Sequence, residues 1–281
     1  MNRIGLIGVG KMGLPLLNTL VKHGYYVNTL LRDNTTTIKD TTGQTFFAND
    51  INSFISKSDT IISVLPKSSD TLNLVSKIKD INNKKAWIDL CSSCPKDVIK
   101  INKILDYNNI GYIDAPMSGG PEGMKNSNIT SVVSGPSDVY RNNLNLLRLY
   151  SNKVIYASEN IGTASMIKLA NNTLLALNLV STSEIMNVLK ENDIDIHMAL
   201  DFINNSSGKS HVSSQRYPDN ILDGKHNFGF SYELHKKDVI TFFNNSDVYT
   251  DSMLEVLHRI YNDPKNNELN DHTEIVNYWK S

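Results

Sequence analysis

Cysteine is scarce in this 281-residue chain, in which Cys91 and Cys94 are the only two. Two cysteines give no disulfide framework. The chain also has no apolar run long enough to span a bilayer, and its amino terminus has the pattern of a strand, unlike that of a signal peptide. We therefore expect a cytoplasmic protein that does not enter a membrane.

An excess of charge of either sign is also missing. The 28 lysines and arginines nearly balance the 29 aspartates and glutamates, and the net charge is −1 at pH 7. No lysine or arginine run forms a basic patch, which argues against a nucleic-acid partner. No histidine, cysteine and carboxylate cluster has the spacing of metal ligands, so we expect no metal site. We interpret four scattered histidines as surface residues: His197, His211, His226 and His235.

Composition is ordinary for a soluble globular protein, with 40% hydrophobic and 20% charged residues, and the length suffices for two domains. Up to residue 157, short apolar strands alternate with helices, which predicts a mostly parallel sheet covered on both faces. Strands are predicted at 3–7, 26–31, 59–66, 86–90, 111–114, 129–133 and 154–156. Helices between them are predicted at 14–21, 50–56, 71–79, 95–107 and 138–149.

After residue 157 the strand patterns give way to helical ones. Helices are predicted at 163–190, 197–204, 232–243 and 252–261, with the longest loop at 208–229. The predicted fold class is thus an α/β Rossmann domain, a doubly wound and mostly parallel sheet, followed by an all-α domain. We place the α/β domain at 1–157 and the helical domain at 158–281, joined by the long helix.

A glycine-rich turn links the first strand to the first helix. It has the spacing Gly-x-Gly-x-x-Gly inside a strand–helix–strand unit, which predicts a dinucleotide site formed by Gly8, Val9, Gly10, Lys11, Met12 and Gly13. The first glycine allows the tight turn, the second admits a pyrophosphate, and the third lets helix and strand pack closely. Unpaired N–H groups at the helix amino end hold the phosphates. We therefore expect the domain at 1–157 to be the NAD(P)-binding domain, and the domain at 158–281 to serve substrate binding or oligomerisation. The alternative is an accidental glycine-rich turn.

The end of the second strand should contact the ribose. The chain reads Leu31-Arg32-Asp33 there, and the planar guanidinium of Arg32 suits a 2′-phosphate better than Leu31 suits a 2′-hydroxyl. We therefore favour NADP, while Asp33 keeps NAD possible if the strand ends later. Arg32 has a simpler interpretation as a solvated turn residue.

Three further segments follow predicted strand ends and should line one crevice, since ligands bind at the carboxyl ends of parallel strands. They are Leu65-Pro66, Cys91-Ser92-Ser93 and residues 115–120. Cys91 and Cys94 form a Cys-x-x-Cys pair at a helix start, where thiols can be redox-active. We interpret them as structural thiols.

Lys168 is the only charged residue between Glu159 and Glu184 in the long predicted helix. Apolar residues recur on more than one face, which predicts little water around the first half of the helix. A lone ammonium there is costly unless it is paired or has a function. Asn172 lies one turn further on the same face. A lysine reaching the surface or a structural ion pair is the alternative.

In these motifs the chain resembles the β-hydroxyacid dehydrogenases, which include 3-hydroxyisobutyrate dehydrogenase, tartronate semialdehyde reductase and glyoxylate/succinic semialdehyde reductases. The resemblance covers nearly the whole chain in order, at 8–15, 31–33, 89–95, 114–120, 162–172 and 237–238. Two positions depart mildly from it, because Cys91 replaces serine and Ser92 replaces threonine. Glu122 and Met124 also vary, which leaves the substrate open.

The resemblance implies a role for each matched residue. Lys168 would be the catalytic acid/base and Asn172 its substrate-orienting partner. Ser118, Gly119 and Gly120 would hold a substrate carboxylate through backbone N–H groups. Ser92 and Lys237 would contact the cofactor, with Leu65 and Pro66 beside it, and Lys237 would also close the cleft.

The function implied is hydride transfer between a nicotinamide and a short 3-hydroxy acid, semialdehyde or 2-oxo acid. An imine reductase shares the architecture, but those relatives usually carry another residue where this chain has Lys168. A non-catalytic NADP-binding protein on the same scaffold is the third hypothesis. The apolar long helix and the apolar residues at 275–279 suggest a homodimer or homotetramer, although a helix buried within one chain would have the same pattern.

Overall fold

The computed structural model describes residues 3–30, 44–48, 50–79, 85–246 and 252–280. For residues 279 and 280 it describes the backbone alone. The chain divides into two compact units: Met1–Lys168, called unit 1, and Leu169–Ser281, called unit 2. The predicted domain boundary after residue 157 stays a prediction.

Unit 1 is built on a sheet that has nine strands within the described residues. They are β1 (Arg3–Ile7), β2 (Tyr26–Leu30), β3 (Thr45–Ala48), β4 (Thr60–Ser63), β5 (Lys85–Asp89), β6 (Ile110–Asp114), β7 (Met117–Ser118), β8 (Ile129–Ser134) and β9 (Ser151–Ser158). Six strands are parallel, in the order β3-β2-β1-β4-β5-β6. Strand β8 is antiparallel to β6 and β7, and β9 is parallel to β8.

Helices cover this sheet. They are α1 (Gly13–Lys22), α2 (Ile51–Ser56), α3 (Ser68–Val75), α4 (Pro95–Tyr107), α5 (Gly120–Lys125) and α6 (Ser137–Leu147). Two separate clusters of buried apolar side chains form the core. Ile62, Ile88 and Ile113 belong to the cluster with α1 and α6, whereas Ile61, Trp87 and Tyr112 belong to that with α2, α3 and α4. Neighbouring strand residues point to opposite faces, so strands buried on both sides read as continuous apolar runs.

Helix α7 (Thr163–Glu191) begins in unit 1 and continues into unit 2. Unit 2 is otherwise made of α8 (Ile196–Asn204), a π-helix (Val212–Ile221), α9 (Tyr232–Phe243), α10 (Met253–Asn262) and two 3₁₀-helices (Pro264–Glu268 and His272–Lys280). Its core joins apolar residues of α7, α9, α10 and the last 3₁₀-helix, among them Leu179, Val239, Leu257 and Ile275. The predicted fold class, a Rossmann domain followed by a helical region with a long helix, is confirmed.

Several elements differ from the predictions. Strands β3 and β7 and helix α5 were not predicted, because each is six residues or fewer and lacks a clear apolar period. The π-helix lies inside the segment predicted as a loop. The expectation of little water around the first half of α7 was wrong, since Ile167 is 46% and Leu174 58% exposed. A single chain covers only one side of this helix, although its apolar residues occur on several.

Candidate functional site

The ends of the central parallel strands lie in register. Ile7 pairs with Ser63, Ser63 with Asp89, and Asp89 with Asp114. Hydrogen bonds continue this ladder by one residue, from Val64 N to Ile7 O (2.8 Å), Leu90 N to Ser63 O (2.9 Å) and Ala115 N to Asp89 O (2.8 Å). The segments that follow these strands therefore start side by side along the carboxyl edge of the sheet, as the sequence predicted.

The glycine turn between β1 and α1 has the geometry that the cofactor motif requires. Gly8 has a φ of 90°, and a Cβ at Gly13 would lie 1.9 Å from the carbonyl oxygen of Gly8. Both glycines are thus needed for the turn itself. A Cβ at Gly10 would instead meet no atom within 4 Å, so the space over Gly10 is open to a ligand.

The amino end of α1 is suited to an anion. Among the described residues, no side chain caps this end and no acidic residue lies in its first turn. The first N–H groups of a helix have no intrahelical partner and carry a partial positive charge. The turn, the open space and the uncapped helix together fit a dinucleotide pyrophosphate.

The other predicted cofactor residues lie on the neighbouring loops of the same edge. Val9, Met12, Leu65 and Ser92 are half-buried, and Lys11 and Pro66 are exposed. Arg32, on which the choice of NADP rested, lies outside the described residues, as do Leu31 and Asp33. Cys91, which is buried, and Cys94 form no disulfide bond.

The predicted carboxylate-binding loop follows β6 and contains β7. Ser118 and Gly119 are exposed, and Gly119 and Gly120 have φ values of 140° and 64°. A Cβ at Gly119 would lie 2.9 Å from the carbonyl oxygen of Asn128. The loop therefore depends on glycine for both its conformation and its close packing.

Two buried aspartates end neighbouring strands behind these loops. Asp89, 1% exposed, accepts hydrogen bonds from Ser63 Oγ (2.9 Å), Cys91 N (3.2 Å) and Tyr112 Oη (3.2 Å). Burial raises the pKa of Asp89, although its hydrogen bonds oppose the shift. Asp89 thus fixes the start of the predicted cofactor loop at Cys91.

Asp114 is fully buried and contacts the start of α7. Its Oδ2 accepts from the backbone N–H of Ser165 (2.9 Å) and its Oδ1 from Ser165 Oγ (2.8 Å). Ser134 Oγ donates to Oδ2 at 3.3 Å. Burial raises the pKa of Asp114 to about 7, with the nearby charge of Asp89 acting in the same direction, while the hydrogen bonds oppose both.

Lys168 lies on α7 three residues after Ser165 and is half-buried. Residues three apart on a helix share a face. The hydrogen bonds of Ser165 to Asp114 therefore fix the helical turn that carries Lys168. Lys168 and Ser118 both belong to unit 1, so the sheet edge and the helix start that bear them are parts of one compact body.

Asn172, one turn further along α7, belongs to a buried polar group within unit 2. Its Nδ2 donates to Asp238 Oδ2 at 2.6 Å, and the ammonium of Lys237 lies 3.1 Å from Asp238 Oδ1. His235 Nε2 lies 3.0 Å from the backbone oxygen of Asn172, and Tyr261 Oη lies 3.2 Å from His235 Nδ1. These contacts fix the amide of Asn172 on α7 and the side chain of Lys237 on α9.

The interpretation of His235 as a surface residue was wrong, because its side chain is completely buried. Its two ring nitrogens meet partners from α7 and α10, which makes burial of a polar ring tolerable. Such long-range partners leave no trace in the local sequence pattern. His197 and His211 are exposed and His226 is half-buried.

The sequence reasoning assigned no role to Asp89, Asp114 or Asp238. A signal for the first two was present, because Trp87-Ile88-Asp89 and Tyr112-Ile113-Asp114 repeat an aromatic–isoleucine–aspartate pattern at the ends of adjacent strands. An acid at the end of a buried strand needs partners, and those of Asp114 lie 20 and 51 residues away in sequence. Asp238 could be noticed only as the neighbour of Lys237.

Two expected absences can be examined in the described part of the chain. There, no group of three or more histidine, cysteine, aspartate or glutamate side chains could hold a metal ion. No helix within the same residues is long and apolar enough to cross a membrane.

Comparison with known proteins gives two family matches that together cover most of the chain. The family described as the NAD-binding domain of 6-phosphogluconate dehydrogenase matches residues 3–158. The family described as NAD-binding of NADP-dependent 3-hydroxyisobutyrate dehydrogenase matches residues 162–279. Both matches fall on the segments that carry the strand-edge loops and the helical unit.

Individual proteins agree with these matches. The mitochondrial 3-hydroxyisobutyrate dehydrogenase of Mus musculus is 28% identical over 221 residues, covering 76% of this chain, and the match spans 65% of the relative's own length. The structure of Mycobacterium tuberculosis 3-hydroxyisobutyrate dehydrogenase with L-serine has a TM-score of 0.88 at 18% identity and full coverage of both chains.

An imine reductase from Myxococcus stipitatus, in complex with NAD⁺, shares the fold less closely, with a TM-score of 0.68 at 14% identity and coverage of 99% of this chain and 100% of that one. The architecture is thus used by more than one class of reductase. The family matches decide between them at the level of the sequence: this chain belongs to the β-hydroxyacid dehydrogenase family, the NAD(P)-dependent oxidoreductases that act on CH–OH groups.

Proposed function

We propose that this chain catalyses reversible hydride transfer between NADP(H) and a short hydroxy acid or its semialdehyde, with Lys168 as the catalytic acid/base. One observation carries the proposal. Ser165, one turn before Lys168, is hydrogen bonded through its N–H and hydroxyl to Asp114, from which the chain continues into Ser118, Gly119 and Gly120. The lysine helix and the predicted carboxylate loop thus share an anchor.

We assign a separate role in the reaction to each group of predicted site residues. Backbone N–H groups at Ser118 to Gly120 would hold the substrate carboxylate, and the amide of Asn172, fixed by Asp238, would orient the substrate. The cofactor, when bound, supplies or takes up the hydride. As a carbonyl oxygen gains negative charge, the ammonium of Lys168 would donate a proton to it, and in the reverse direction the neutral amine would remove that proton.

The dinucleotide is assigned to Gly8, Val9, Gly10, Lys11, Met12 and Gly13, with Leu65, Pro66, Ser92 and Lys237 as further contacts. The open space above Gly10 and the uncapped amino end of α1 support this assignment. The preference for NADP depends on Arg32 in the sequence. We expect Arg32→Ala to lower kcat/KM for NADPH by roughly tenfold or more while leaving that for NADH nearly unchanged. An equal loss with both cofactors would contradict the preference.

A second copy of this chain is the expected partner. Exposed apolar side chains on α7, among them Leu174, Ile185 and Val188, support association into a homodimer or homotetramer. A cytoplasmic location stays a prediction from the sequence.

The test is a comparison of Lys168→Ala with Lys190→Ala, an exposed lysine on the same helix. NADPH oxidation is followed by absorbance with glyoxylate, succinic semialdehyde and tartronate semialdehyde, and with a cyclic imine. We expect wild type and Lys190→Ala to reduce at least one aldehyde or oxo acid, and Lys168→Ala to bind NADPH but turn over about 10²–10⁴-fold more slowly. Unchanged turnover by Lys168→Ala refutes the acid/base role. Activity with the imine alone favours the imine reductase hypothesis, and no activity with any substrate favours a non-catalytic protein.

A further inference from the structure

The amino end of α7 is capped by residues that are distant in sequence. The residue before the helix is Gly162, which has no side chain to serve as a cap. The first N–H groups of a helix need partners from outside it, usually from a serine, threonine, aspartate or asparagine just before the helix. Here the backbone N–H of Ala164 donates to Ser134 Oγ (3.1 Å), and that of Ser165 donates to Asp114 Oδ2 (2.9 Å).

These contacts form a closed group of three side chains. Ser165 Oγ donates to Asp114 Oδ1 (2.8 Å), and Ser134 Oγ donates to Asp114 Oδ2 (3.3 Å). Asp114, Ser134 and Ser165 are all completely buried, so water does not compete for these hydrogen bonds. The partial positive charge at the helix amino end also favours the acceptor oxygens of Asp114 there. The group therefore determines where α7 starts.

We propose that Asp114 is a positioning residue for the reaction. By capping the first turn of α7, it holds Lys168 at a fixed place relative to the loop that contains Ser118, Gly119 and Gly120, which leaves the same strand end. This inference rests on the proposed catalytic role of Lys168. Asp114 is buried behind the loop, so its expected effect on turnover passes through Lys168 and does not require contact with substrate.

A purely structural role makes a different prediction. A buried hydrogen-bonded carboxyl group that only stabilises the sheet would, when removed, lower the melting temperature and leave the turnover of the folded fraction unchanged. A positioning role requires a fall in kcat of folded enzyme, because displacement of a catalytic group by about 1 Å can cost about 10²-fold. Cofactor affinity should be preserved in both cases, since these contacts leave the glycine turn intact.

The chain offers matched variants for separating the two roles. Ser165→Ala removes one buried hydroxyl from the group, and Asp114→Ala removes the cap. Ser131→Ala is the control, because Ser131 is equally buried on β8 and bonds only the hydroxyl of Ser151 (2.8 Å) among its described side-chain partners. Asp114→Asn is the conservative variant, since its amide has the same shape. Its oxygen can accept from the N–H of Ser165 and from Ser134 Oγ, and the hydroxyl of Ser165 can rotate to accept from its NH₂ group.

We measure kcat and KM for the best aldehyde or oxo acid found above, the dissociation constant of NADPH, and the melting temperature of each variant. Expected are a fall in kcat of roughly tenfold for Ser165→Ala and about 10²-fold for Asp114→Ala, with NADPH binding within about twofold of wild type. Asp114→Asn should keep kcat within about threefold of wild type, and Ser131→Ala should change only the melting temperature.

Equal kcat values for Ser165→Ala and Ser131→Ala would overturn the positioning role, and this pair decides the question even if Asp114→Ala does not fold. A fall in kcat for Asp114→Asn as large as that for Asp114→Ala would overturn it as well, because the cap would then not be the property that matters. Lys168→Ala separates this result from the function itself. If Lys168→Ala turns over normally, the acid/base role of Lys168 in the proposed function fails, whereas loss in Lys168→Ala with no loss in Ser165→Ala removes the positioning role alone.

Discussion

At the scale of single residues, burial decides how the strand-end acids behave. Asp89 and Asp114 are register partners on adjacent strands and are almost completely removed from water. Three hydrogen bonds to each carboxyl group favour the charged form, but the loss of hydration favours the neutral form more strongly. Both acids therefore hold their protons to higher pH than an exposed aspartate does.

This shift makes the stability of the folded chain depend on pH. The pKa of Asp114 is raised from 3.8 to about 7, so between these values the native state binds a proton that the unfolded state has released. Stability contributed by Asp114 is consequently greatest below pH 4 and falls as the pH rises towards 7, after which it stays constant. A shift of this size corresponds to as much as about 4 kcal/mol.

The measurement is urea unfolding of wild type and Asp114→Asn between pH 4 and pH 8. The asparagine variant keeps the neutral form at every pH, so the stability of wild type relative to the variant should fall across this range and level off near pH 7. A difference that stays constant with pH, or that grows, would show that the pKa of Asp114 is not raised. Because the charge of Asp89 also raises the pKa of Asp114, the difference includes the interaction between these two acids.

At the scale of elements, substitutions in the glycine turn before α1 can separate an effect on cofactor binding from an effect on stability. A methyl group at Gly13 would collide with the carbonyl of Gly8, whereas one at Gly10 would point into open space. We expect Gly10→Ala to keep the melting temperature and to weaken NADPH binding by roughly tenfold or more, because the methyl group occupies the approach of the pyrophosphate. Isothermal titration with NADPH and a thermal melt measure the two quantities.

Gly13→Ala is the matched control in the same turn. The packing conflict with backbone should cost about 1–3 kcal/mol of stability, whatever its effect on binding. If Gly10→Ala instead bound NADPH as wild type does, the glycine turn would not be the phosphate site.

Elements with strong local signals could be predicted from the sequence. Helices α4 and α9 have the predicted bounds, because Pro95 begins one and an uninterrupted polar–apolar pattern defines the other. The π-helix could not be predicted, since its serines, asparagine and Pro218 resemble a loop, whereas its Val212, Tyr217 and Ile221 are buried in the core of unit 2 among residues distant in sequence. Strand β3 lies at the edge of the sheet and was not predicted either. Its neighbouring residues Phe46 and Phe47 are both apolar and both exposed, so apolar and polar residues do not alternate along it.

The candidate site, too, has a part that could be predicted from the sequence and a part that could not. Its loops could be predicted, because the chain order of strands and helices already requires a row of parallel strand ends. The buried acids that hold the start of α7 and the amide of Asn172 could not, because Asp114 meets Ser165 and Asp238 meets Asn172 across 51 and 66 residues of sequence. Motifs therefore identify groups that act on ligands more readily than the buried groups that hold them.

At the scale of the whole molecule, each unit has its own core, and the exposed apolar residues of α7 are available to a second copy of the chain. Ile185 is 54% exposed in the single chain, so Ile185→Asp should leave the fold intact while weakening association. Sedimentation velocity should give a dimer or tetramer for wild type and a smaller particle for the variant.

The control for this prediction is Lys190→Asp, which makes another exposed position on the same helix acidic without removing apolar surface. It should sediment as wild type does. A monomeric wild type, or an Ile185→Asp variant with the same mass as wild type, would contradict association through this face of α7.

At the scale of the whole molecule we also propose that Lys168 exchanges a proton with the substrate oxygen during hydride transfer. The most direct test of this role is single-turnover reduction of NADP⁺ by 3-hydroxyisobutyrate, followed at the nicotinamide absorbance band for wild type and Lys168→Ala. We predict that the variant reacts at least about 10²-fold more slowly than wild type, because it has lost the group that removes the proton. A variant that keeps the wild-type rate would contradict the acid/base role of Lys168.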